Sequence, residues 1–390
     1  MKTPFKLLVL MFITSVIANA QHQNIFSKTL DVDTNAIFKM DLRNTSVQIE
    51  ESFDQKIHIE YNIAFKKHNK KEIDKIISGI QVDVFKKDGA YTLKVDSEDK
   101  MSSQVYHLES SFGVTLENID VLFDSKTSKP KKSKEELIKK LEEELSFDNG
   151  ENNRFFESLL KYKEDGTTEK VNLESLKSYK LNFVVKIPKS LELKLNLRHS
   201  QVEFGFLATN KIACESDHST IRSHGFQNDD SWFKIERGSF KVNQILGGRF
   251  AFKDLDKVVI GTLNDAVINS EFSKFHIIEI GKNNIINDFN SEYWLYNFSE
   301  QMGRFTVNAE YSKVNAFYPE DHSNFLLKTF GYATVHYTGK ARIETPPSKK
   351  KESSNMLVLG NDSDSVSNQV QINITNGIVR LGKDSIEAKS

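Results

Sequence analysis

The sequence predicts an all-β protein, a right-handed β-solenoid of about 19 residues per rung that carries a charged helical insertion. Two observations predict the solenoid. A strand-turn-strand unit recurs through the second half of the chain, and apolar residues alternate with polar ones around each turn. A third observation, a segment rich in lysine and glutamate, predicts the insertion.

The recurring unit aligns on one turn position, here called the anchor, which returns every 17 to 21 residues. The anchors are Ser200, Ser219, Gly238, Asp256, Ser273, Ser291, Ser312 and Ala333. An apolar residue follows each anchor at the second position and usually at the fourth, as in strands with one buried face. Helical arrays and propeller blades repeat every 33 to 50 residues or so, hence each shorter unit is predicted to form one rung of a stacked coil.

The first twenty residues predict a secretory signal peptide. Lys2 and Lys6 precede an apolar run from Leu7 to Ile17, and Ala18-Asn19-Ala20 supplies a small-x-small cleavage site. The run is too short to span a bilayer core of about 30 Å, so we expect no membrane insertion after signal cleavage. The mature chain is expected to be exported to the periplasm, to the cell surface or into the medium.

Residues 21–125 are predicted to form an N-terminal β region with a short helical insertion. Period-two alternation runs from Ile37 to Ile63, and the piece NTSVQIE places Thr45 at an anchor position. Apolar residues at helical spacing predict a helix within the charged segment from Lys66 to Ile80. A hairpin is expected to follow and to end at Ser97.

Residues 126–178 form the lysine- and glutamate-rich insertion. A capping box, Ser133 with Glu136, predicts the start of a helix. Its apolar residues share one narrow face: Leu137, Ile138, Leu141 and Leu145. Such a segment is a mobile arm, a helix resting on the side of the solenoid, or half of a coiled coil, for which two heptads are few.

The solenoid is predicted over residues 179–344, followed by a disordered linker over 345–368 and a C-terminal capping hairpin and tail over 369–390. The linker prediction rests on the polar pieces PPSKKKESS and NDSDSVSN. Asn376-Gly377 is the strongest short hairpin signal in the chain. We expect this last strand pair to cover the open end of the solenoid.

These patterns resemble the putative adhesin family of bacterial exported proteins. The resemblance lies in the run VVKIPKSLELKLNLRHSQVEFGFL, with its Pro-Lys bend and small-residue turns, and in the terminal INITNGIVRL. It covers Ile37 to Ser97 and Leu181 to Leu381. It implies a single-stranded β-solenoid, related to adhesin head domains and of largely unknown biochemical role. The family has no established catalytic residues to transfer.

Stacking of the rungs would create two columns of polar side chains. Two residues before each anchor stand Arg198, Asp217, Glu236, Asp254 and Glu271, so four carboxylates are expected in one column. Like charges directly stacked are destabilising, which makes these carboxylates candidate calcium ligands, with solvated turn residues as the alternative. His199, His218 and Arg237 form the second column, where a histidine pair would more often be a polar stack than a zinc site. No other cofactor is expected.

Aromatic residues supply a candidate binding face. Tyr293 and Leu295 should face one side of their strand, and Trp294 and Tyr296 the other. One pair must therefore point outward, and Trp294 and Tyr296 are the candidate contact residues.

The composition and the missing motifs together predict a non-catalytic interaction module. With 53 basic and 54 acidic side chains, nothing in the charge attracts nucleic acid. The only cysteine, Cys214, falls where flanking rungs have apolar residues and is expected to be buried. The predicted role is adhesin-like or that of an envelope scaffold, with a protein or glycan partner at the cell envelope. The alternatives are a polysaccharide-active β-helix enzyme, lyase or hydrolase, and a calcium-stabilised carbohydrate-binding protein.

Overall fold

The computed structural model describes residues 21–98, 104–107, 133–146, 160–162, 168–170, 177–317, 324–337, 341–345, 355–359 and 369–382. Nearly all of this part is β-structure, with two helices among the described residues. Neither helix is both long and apolar enough to cross a membrane. The predicted signal peptide, residues 1–20, lies outside the described residues.

The N-terminal region combines antiparallel and parallel strand pairs and contains one short helix. Its elements are β1 (Gln21–Asp31), β2 (Ile37–Arg43), β3 (Ser46–Glu51), β4 (Lys56–Lys66), α1 (Lys70–Ser78), β5 (Ile80–Lys87), β6 (Ala90–Ser97) and β7 (Gln104–His107). Asn69 and Glu72 form a capping box at the start of α1, which lies inside the predicted helical segment. Strands β5 and β6 pair as the predicted hairpin.

The insertion and the repeat region supply the remaining elements. The insertion holds helix α2 (Lys134–Leu145) and a separate pair, β8 (Leu160–Tyr162) and β9 (Thr168–Lys170). The strands that follow are β10 (Lys177–Ile187), β11 (Glu192–Arg198), β12 (Gln201–Ala208), β13 (Ile212–Phe226), β14 (Trp232–Leu246), β15 (Arg249–Asn264), β16 (Val267–Glu271), β17 (Lys274–Ile280), β18 (Asn284–Phe289), β19 (Glu292–Phe298), β20 (Arg304–Glu310), β21 (Lys313–Phe317), β22 (Asn324–Phe330), β23 (Thr334–Tyr337), β24 (Ala341–Thr345), β25 (Asn355–Leu359), β26 (Gln369–Thr375) and β27 (Ile378–Gly382).

Successive units of the repeat stack in parallel and contribute one strand to each of two ladders. The first ladder contains the strands before the anchors, in the order β6, β2, β11, the first halves of β13, β14 and β15, then β16, β18, β20, β26 and β22. The second ladder contains the strands after the anchors, in the order β3, β12, the second halves of β13 to β15, then β17, β19, β21, β27 and β23. Each unit therefore crosses from the first ladder to the second at its anchor.

The turn at each anchor except Ala333 is made by a left-handed residue just before it. These corner residues have φ between 48° and 57°: Asn44, His199, His218, Arg237, Asp254, Phe272, Asn290, Tyr311 and Asn376. Their φ values reverse the chain direction without a glycine, a conformation that asparagine and aspartate tolerate better than other residues. The corner residues form a continuous row along the outside of the molecule.

Serine recurs at the anchors because its hydroxyl ties neighbouring units together. Ser219 Oγ accepts a hydrogen bond from the backbone N–H of Ser200 at 3.0 Å and donates to the carbonyl of Asp217 at 2.9 Å. Ser273 Oγ accepts in the same way from the N–H of Leu255 at 3.1 Å. The anchor serines are buried, so each bond satisfies a backbone group that water cannot reach.

Apolar side chains that point inward from the ladders form one core. Aromatic rings stack from unit to unit, with Phe233 and Phe250 at 4.8 Å between centroids and Phe275 and Tyr293 at 4.5 Å. Cys214 is fully buried beside Phe233 in register, as predicted, and burial raises the pKa of its thiol. The second position after each predicted anchor from Ser200 to Ser312 is buried, which confirms the apolar periodicity.

The fourth unit departs from the predicted alignment by one residue. Leu255, not Asp256, pairs with Gly238 and occupies the anchor position, and Asp256 is an extra residue at a register shift. The strand after the turn still has the predicted register because Lys257 pairs with Ser239. Every residue before the turn is shifted, which changes the predicted columns of side chains.

The C-terminal strands do not form a capping hairpin, which corrects the prediction for residues 369–390. Strands β26 and β27 are the two halves of one unit, and Asn376 is its left-handed corner. Both strands lie between units, with β20 and β21 on one side and β22 and β23 on the other. Strand β25, within the predicted disordered linker, pairs antiparallel with β22 and with β24, so these two strands follow β22 at that end.

Candidate interaction face

The predicted carboxylate column is broken by a lysine. In the observed register Asp217 pairs with Glu236, Glu236 pairs with Lys253, and Lys253 pairs with Glu271. Asp254 instead lies in the row of left-handed corner residues, because Asp256 is the extra residue of that unit. The four candidate metal ligands therefore do not form one column, and the described residues contain no cluster of three or more possible metal ligands.

Cations of the chain itself accompany the remaining carboxylates. Arg237 donates to Asp217 at 2.6 Å, and Lys253 lies 3.2 Å from Glu271. Although desolvation would raise it, the hydrogen bond from Arg237 holds the pKa of Asp217 below its usual range. A hydrogen bond from Lys234 likewise lowers the pKa of Glu236. Calcium at these residues stays a prediction, and the ion would have to compete with these pairs.

The second predicted column forms as the corner row. The rings of His199 and His218 stack at 4.9 Å between centroids, and Arg237 Nε lies 3.3 Å from His218 Nδ1. His218 Nδ1 also lies 2.9 Å from Asp217. The pair is thus a polar stack joined to a carboxylate and a guanidinium group.

Trp294 and Tyr296 point away from the main core, as the alternation predicts, but α2 covers them. Tyr296 is buried and Trp294 is partly buried in a second apolar cluster. The other members of that cluster are Leu137, Ile138, Leu141, Leu145, Val259, Ile278 and Phe317. The predicted binding face is therefore occupied by this chain's own helix, which rests on the outer face of the second ladder.

Ion pairs and a helix-end contact hold α2 on this ladder. Glu144 contacts Lys257 and lies 3.6 Å from Lys241. Arg222 donates to the carbonyl of Ser146, just beyond the last turn of α2, at 2.9 Å. Although desolvation would raise it, the hydrogen bond from Lys257 lowers the pKa of Glu144.

The outer face of the first ladder carries a row of hydrogen-bonded asparagines, here called the amide row. Asn287 Nδ2 donates to Asn269 Oδ1 at 3.0 Å, Asn308 Nδ2 to Asn287 Oδ1 at 2.9 Å, and Asn373 Nδ2 to Asn308 Oδ1 at 2.7 Å. Asn269, Asn287 and Asn308 are exposed. Each row member stands four residues before its anchor position, on successive units of the ladder.

Three exposed aromatic side chains, here called the aromatic row, lie beside the amide row. Phe289 contacts Phe272 at 5.6 Å and Tyr311 at 5.8 Å between ring centroids, both edge to face. Their exposed fractions are 46% for Phe272, 40% for Phe289 and 52% for Tyr311. Phe289 follows Asn287 by two residues on the same strand, so both side chains face outward together. The two rows form one surface, the amide–aromatic face.

Two of the aromatic residues occupy a backbone conformation that their type disfavours. Phe272 has φ 51° and Tyr311 has φ 55°, at corners where three other units have asparagine. A bulky residue at positive φ is an outlier and costs roughly 1–2 kcal/mol. Exposed aromatics contribute little to the core, so stability alone does not explain their presence at these corners.

A buried carboxylate supports the face from beneath. Asp288 points inward between two face residues and accepts hydrogen bonds from the hydroxyls of Ser270 and Ser312, both at 2.5 Å. The Tyr293 hydroxyl lies at 3.3 Å and the backbone N–H of Ser291 at 3.2 Å. Burial, then the charge of Asp288, raises the pKa of Tyr293 well above its usual value. These bonds connect three successive units directly below the aromatic row.

Comparison with known proteins returns solved structures of putative adhesins. No family model matches the chain, and no curated protein matches it. A putative cell adhesion protein from Clostridium sporogenes ATCC 15579 is 8% identical, over 93% of this chain and 99% of that chain, with a TM-score of 0.20. A putative adhesin from Bacteroides fragilis NCTC 9343 is 10% identical, over 93% and 97%, with a TM-score of 0.30. One from Parabacteroides distasonis ATCC 8503 is 10% identical, over 93% and 98%, with a TM-score of 0.25.

The matched structures belong to the class of protein that the sequence resembles.

Proposed function

We propose that the chain is an exported, non-catalytic interaction module, a right-handed β-solenoid of adhesin type, whose contact surface is the amide–aromatic face. The observation that carries the proposal is the aromatic row, in which three exposed aromatic side chains contact one another. Contiguous exposed apolar surface of this kind is characteristic of binding sites. The adhesin-like role and the location outside the cell follow the family resemblance and the predicted signal peptide.

The electrostatics of the acidic residues support a non-catalytic role. A general acid in a glycoside hydrolase needs a carboxyl group with a raised pKa. Asp217 and Glu236 have lowered pKa values instead, because Arg237 and Lys234 bind them. Both side chains lie beside cations on the outer surface and not in a water-excluding cleft.

The first test is the double variant Phe272→Asn with Tyr311→Asn. Asparagine already occupies this corner at Asn44, Asn290 and Asn376, so we expect the fold to be retained, with a change in unfolding free energy within about 1 kcal/mol. Sedimentation with isolated envelopes of the source bacterium measures binding by residues 21–390. We expect the double variant to lose at least tenfold in affinity.

The matched control is His199→Asn, which changes a distant residue of the same corner row in the same way. This control should bind envelopes as the unmodified protein does. Unchanged binding by the double variant would show that the aromatic row is not the contact surface. A failure of the unmodified protein to bind envelopes would overturn the proposed function itself.

A further inference from the structure

From the chemistry of the amide–aromatic face we infer that its ligand is a neutral glycan strand, bound across the units through the amide row and the aromatic row. This inference rests on the proposed function and assigns its partner class. Three properties of the face support it: unused hydrogen-bonding capacity, exposed aromatic surface, and the absence of charge among its seven side chains.

The amide row presents donors and acceptors in alternation. A side-chain amide has two N–H donors and a carbonyl oxygen that accepts two hydrogen bonds. Within the row, Asn287 uses one donor toward Asn269 and one acceptor site toward Asn308, and Asn308 repeats the pattern. Each of these amides keeps one donor and one acceptor site for a ligand. Sugar hydroxyl groups, which both donate and accept, match this surface.

The aromatic row offers the second element of sugar recognition. Pyranose rings have apolar C–H faces that pack against aromatic side chains, and their hydroxyl edges need polar partners at the side. Phe289 lies two residues from Asn287 on β18, so an apolar and an amide contact are available on the same strand. Tyr311 follows Asn308 by three residues, at the corner after β20, and its ring contacts Phe289.

The spacing of the rows suits a chain of sugars. Neighbouring strands lie about 4.8 Å apart, so the four amides extend over about 14 Å across the ladder. One strand spacing is close to the length of a pyranose ring, and successive sugars could therefore contact successive asparagines. The hydrogen bonds between the asparagines, together with the Asp288 network below, hold the amide row in place before binding. This lowers the entropy cost of binding.

The same chemistry disfavours the other classes of partner. An anionic membrane surface or nucleic acid needs clustered lysine or arginine, and neither row contains one. Glu271 and Glu310 flank Phe289 on the two neighbouring strands, and Glu271 pairs with Lys253 at 3.2 Å. Carboxylates beside the aromatic row disfavour an anionic ligand. A peptide that extends a sheet binds at a free strand edge, whereas this surface is the flat face of paired strands.

The test measures the binding of residues 21–390 to soluble polysaccharides by affinity electrophoresis. The neutral probes are hydroxyethyl cellulose, laminarin and glycogen, and the anionic probe is polygalacturonate. We expect one or more neutral probes to bind at least tenfold more tightly than polygalacturonate. Asn287→Ala combined with Asn308→Ala should remove at least tenfold of that affinity. The matched control is Asn196→Ala, in the same column of the first ladder near its other end, and it should bind normally.

Envelope binding separates this inference from the proposed function. Envelopes are oxidised with periodate, which cleaves the vicinal diols of sugars, or digested with protease. Loss of binding after periodate alone confirms a glycan partner. Binding that survives periodate and is lost after protease overturns the glycan inference, while its sensitivity to Phe272→Asn with Tyr311→Asn would leave the proposed function standing.

Discussion

At the scale of single residues, the corner of each unit sets what the surface can present. A left-handed corner followed by an anchor recurs between Asn44 and Asn376. The buried anchors are Thr45, Ser200, Ser219, Leu255, Ser273, Ser291 and Ser312. Most corners use residues that tolerate positive φ or carry polar side chains, and Phe272 and Tyr311 are the exceptions that face the solvent as rings. At these two corners a strained backbone conformation places an aromatic side chain on the surface.

Glycine is required at the Gly238 anchor by a close approach to the neighbouring unit. Gly238 has φ 114°, and a Cβ atom there would lie 2.1 Å from the carbonyl oxygen of Ser219. We expect Gly238→Ala to lower the free energy of unfolding by about 2 kcal/mol or more, since both the conformation and the contact are unfavourable. Urea unfolding measures the change.

Gly205→Ala is the matched control, because Gly205 has an ordinary backbone and its Cβ would meet nothing closer than 3.6 Å. That variant should change stability by less than about 0.5 kcal/mol. Equal effects of the two substitutions would contradict the close approach at Gly238.

Residue-level features were predictable where they follow apolar periodicity. The buried positions after each anchor and the buried Cys214 follow from alternation alone. The extra residue Asp256 could not be found in this way, because it leaves the alternation after the turn unchanged and shifts only the residues before it. The amide row has a sequence signal, asparagine four residues before the anchor in INSEFS, INDFNS, VNAEYS and INITNG. When the units are aligned only from two residues before the anchor onward, this asparagine is left out.

At the scale of elements, α2 shows how an insertion is fixed to a repeat. The helix covers apolar residues on the outer face of the second ladder, and His276 lies beneath it, 2.9 Å from the Tyr296 hydroxyl. Burial, then the nearby charge of Lys257, lowers the pKa of His276 to about 4. The histidine is therefore neutral in the folded protein at pH values where an exposed histidine is charged.

Docking of α2 should weaken on acidification. The pKa of His276 is depressed in the folded state. The contribution of the neutral ring to the free energy of unfolding is therefore complete above about pH 6.5 and is lost as the pH falls toward 4. We expect protonation of His276 to lower the free energy of unfolding by about 2 kcal/mol between pH 7 and pH 5. Lys140, Lys257, Glu144 and Glu292 are the charged groups that act on the ring.

Comparison with His276→Gln isolates this contribution, because the other nine histidines are common to both proteins. Urea unfolding at pH 7 and pH 5, followed by the fluorescence of Trp294 in a Trp232→Phe background, gives the two free energies. The variant should lose about 2 kcal/mol less than the parent on acidification. Equal losses in the two proteins would rule out His276 as the source.

The helix itself was predictable from its sequence, and its position was not. The capping box of Ser133 and Glu136 and the narrow apolar stripe predict its start and its buried face, and both are confirmed. What covers that stripe depends on apolar residues that point outward from distant strands, such as Val259 and Ile278. Those residues resemble core residues in a linear pattern.

At the scale of the whole molecule, the two ladders were foreseeable and the order of the last strands was not. Alternation and the repeat predict parallel units from Leu181 onward. The insertion of β26 and β27 between units depends on pairing with β20 and β22, which are distant in sequence and similar in pattern. Asn376-Gly377 indicates a tight turn, but a left-handed corner of a unit uses the same residues as a hairpin turn.

Deletion of residues 369–390 tests the strand order. The deletion removes buried side chains at the centre of the last layers, including Val370, Ile372 and Val379, and leaves β20 and β22 without their shared neighbour. We expect trypsin to cleave the chain at Lys328 in β22, as mapped by mass spectrometry, and we expect the protein to self-associate. A control that ends at Gly382, the last residue of β27, should stay protected and monodisperse. If Lys328 stays protected from trypsin in the longer deletion, β26 and β27 only cap the stack.

The interior position of β26 and β27 has a consequence for the order in which the protein can be assembled. A stack built strictly in chain order would add each layer as its residues leave the ribosome. Here β22 to β25 are made before the strands on which they must stack, so they have no completed surface to join. The final layers must wait for the last residues, and the chain reaches its finished form only after its synthesis is complete.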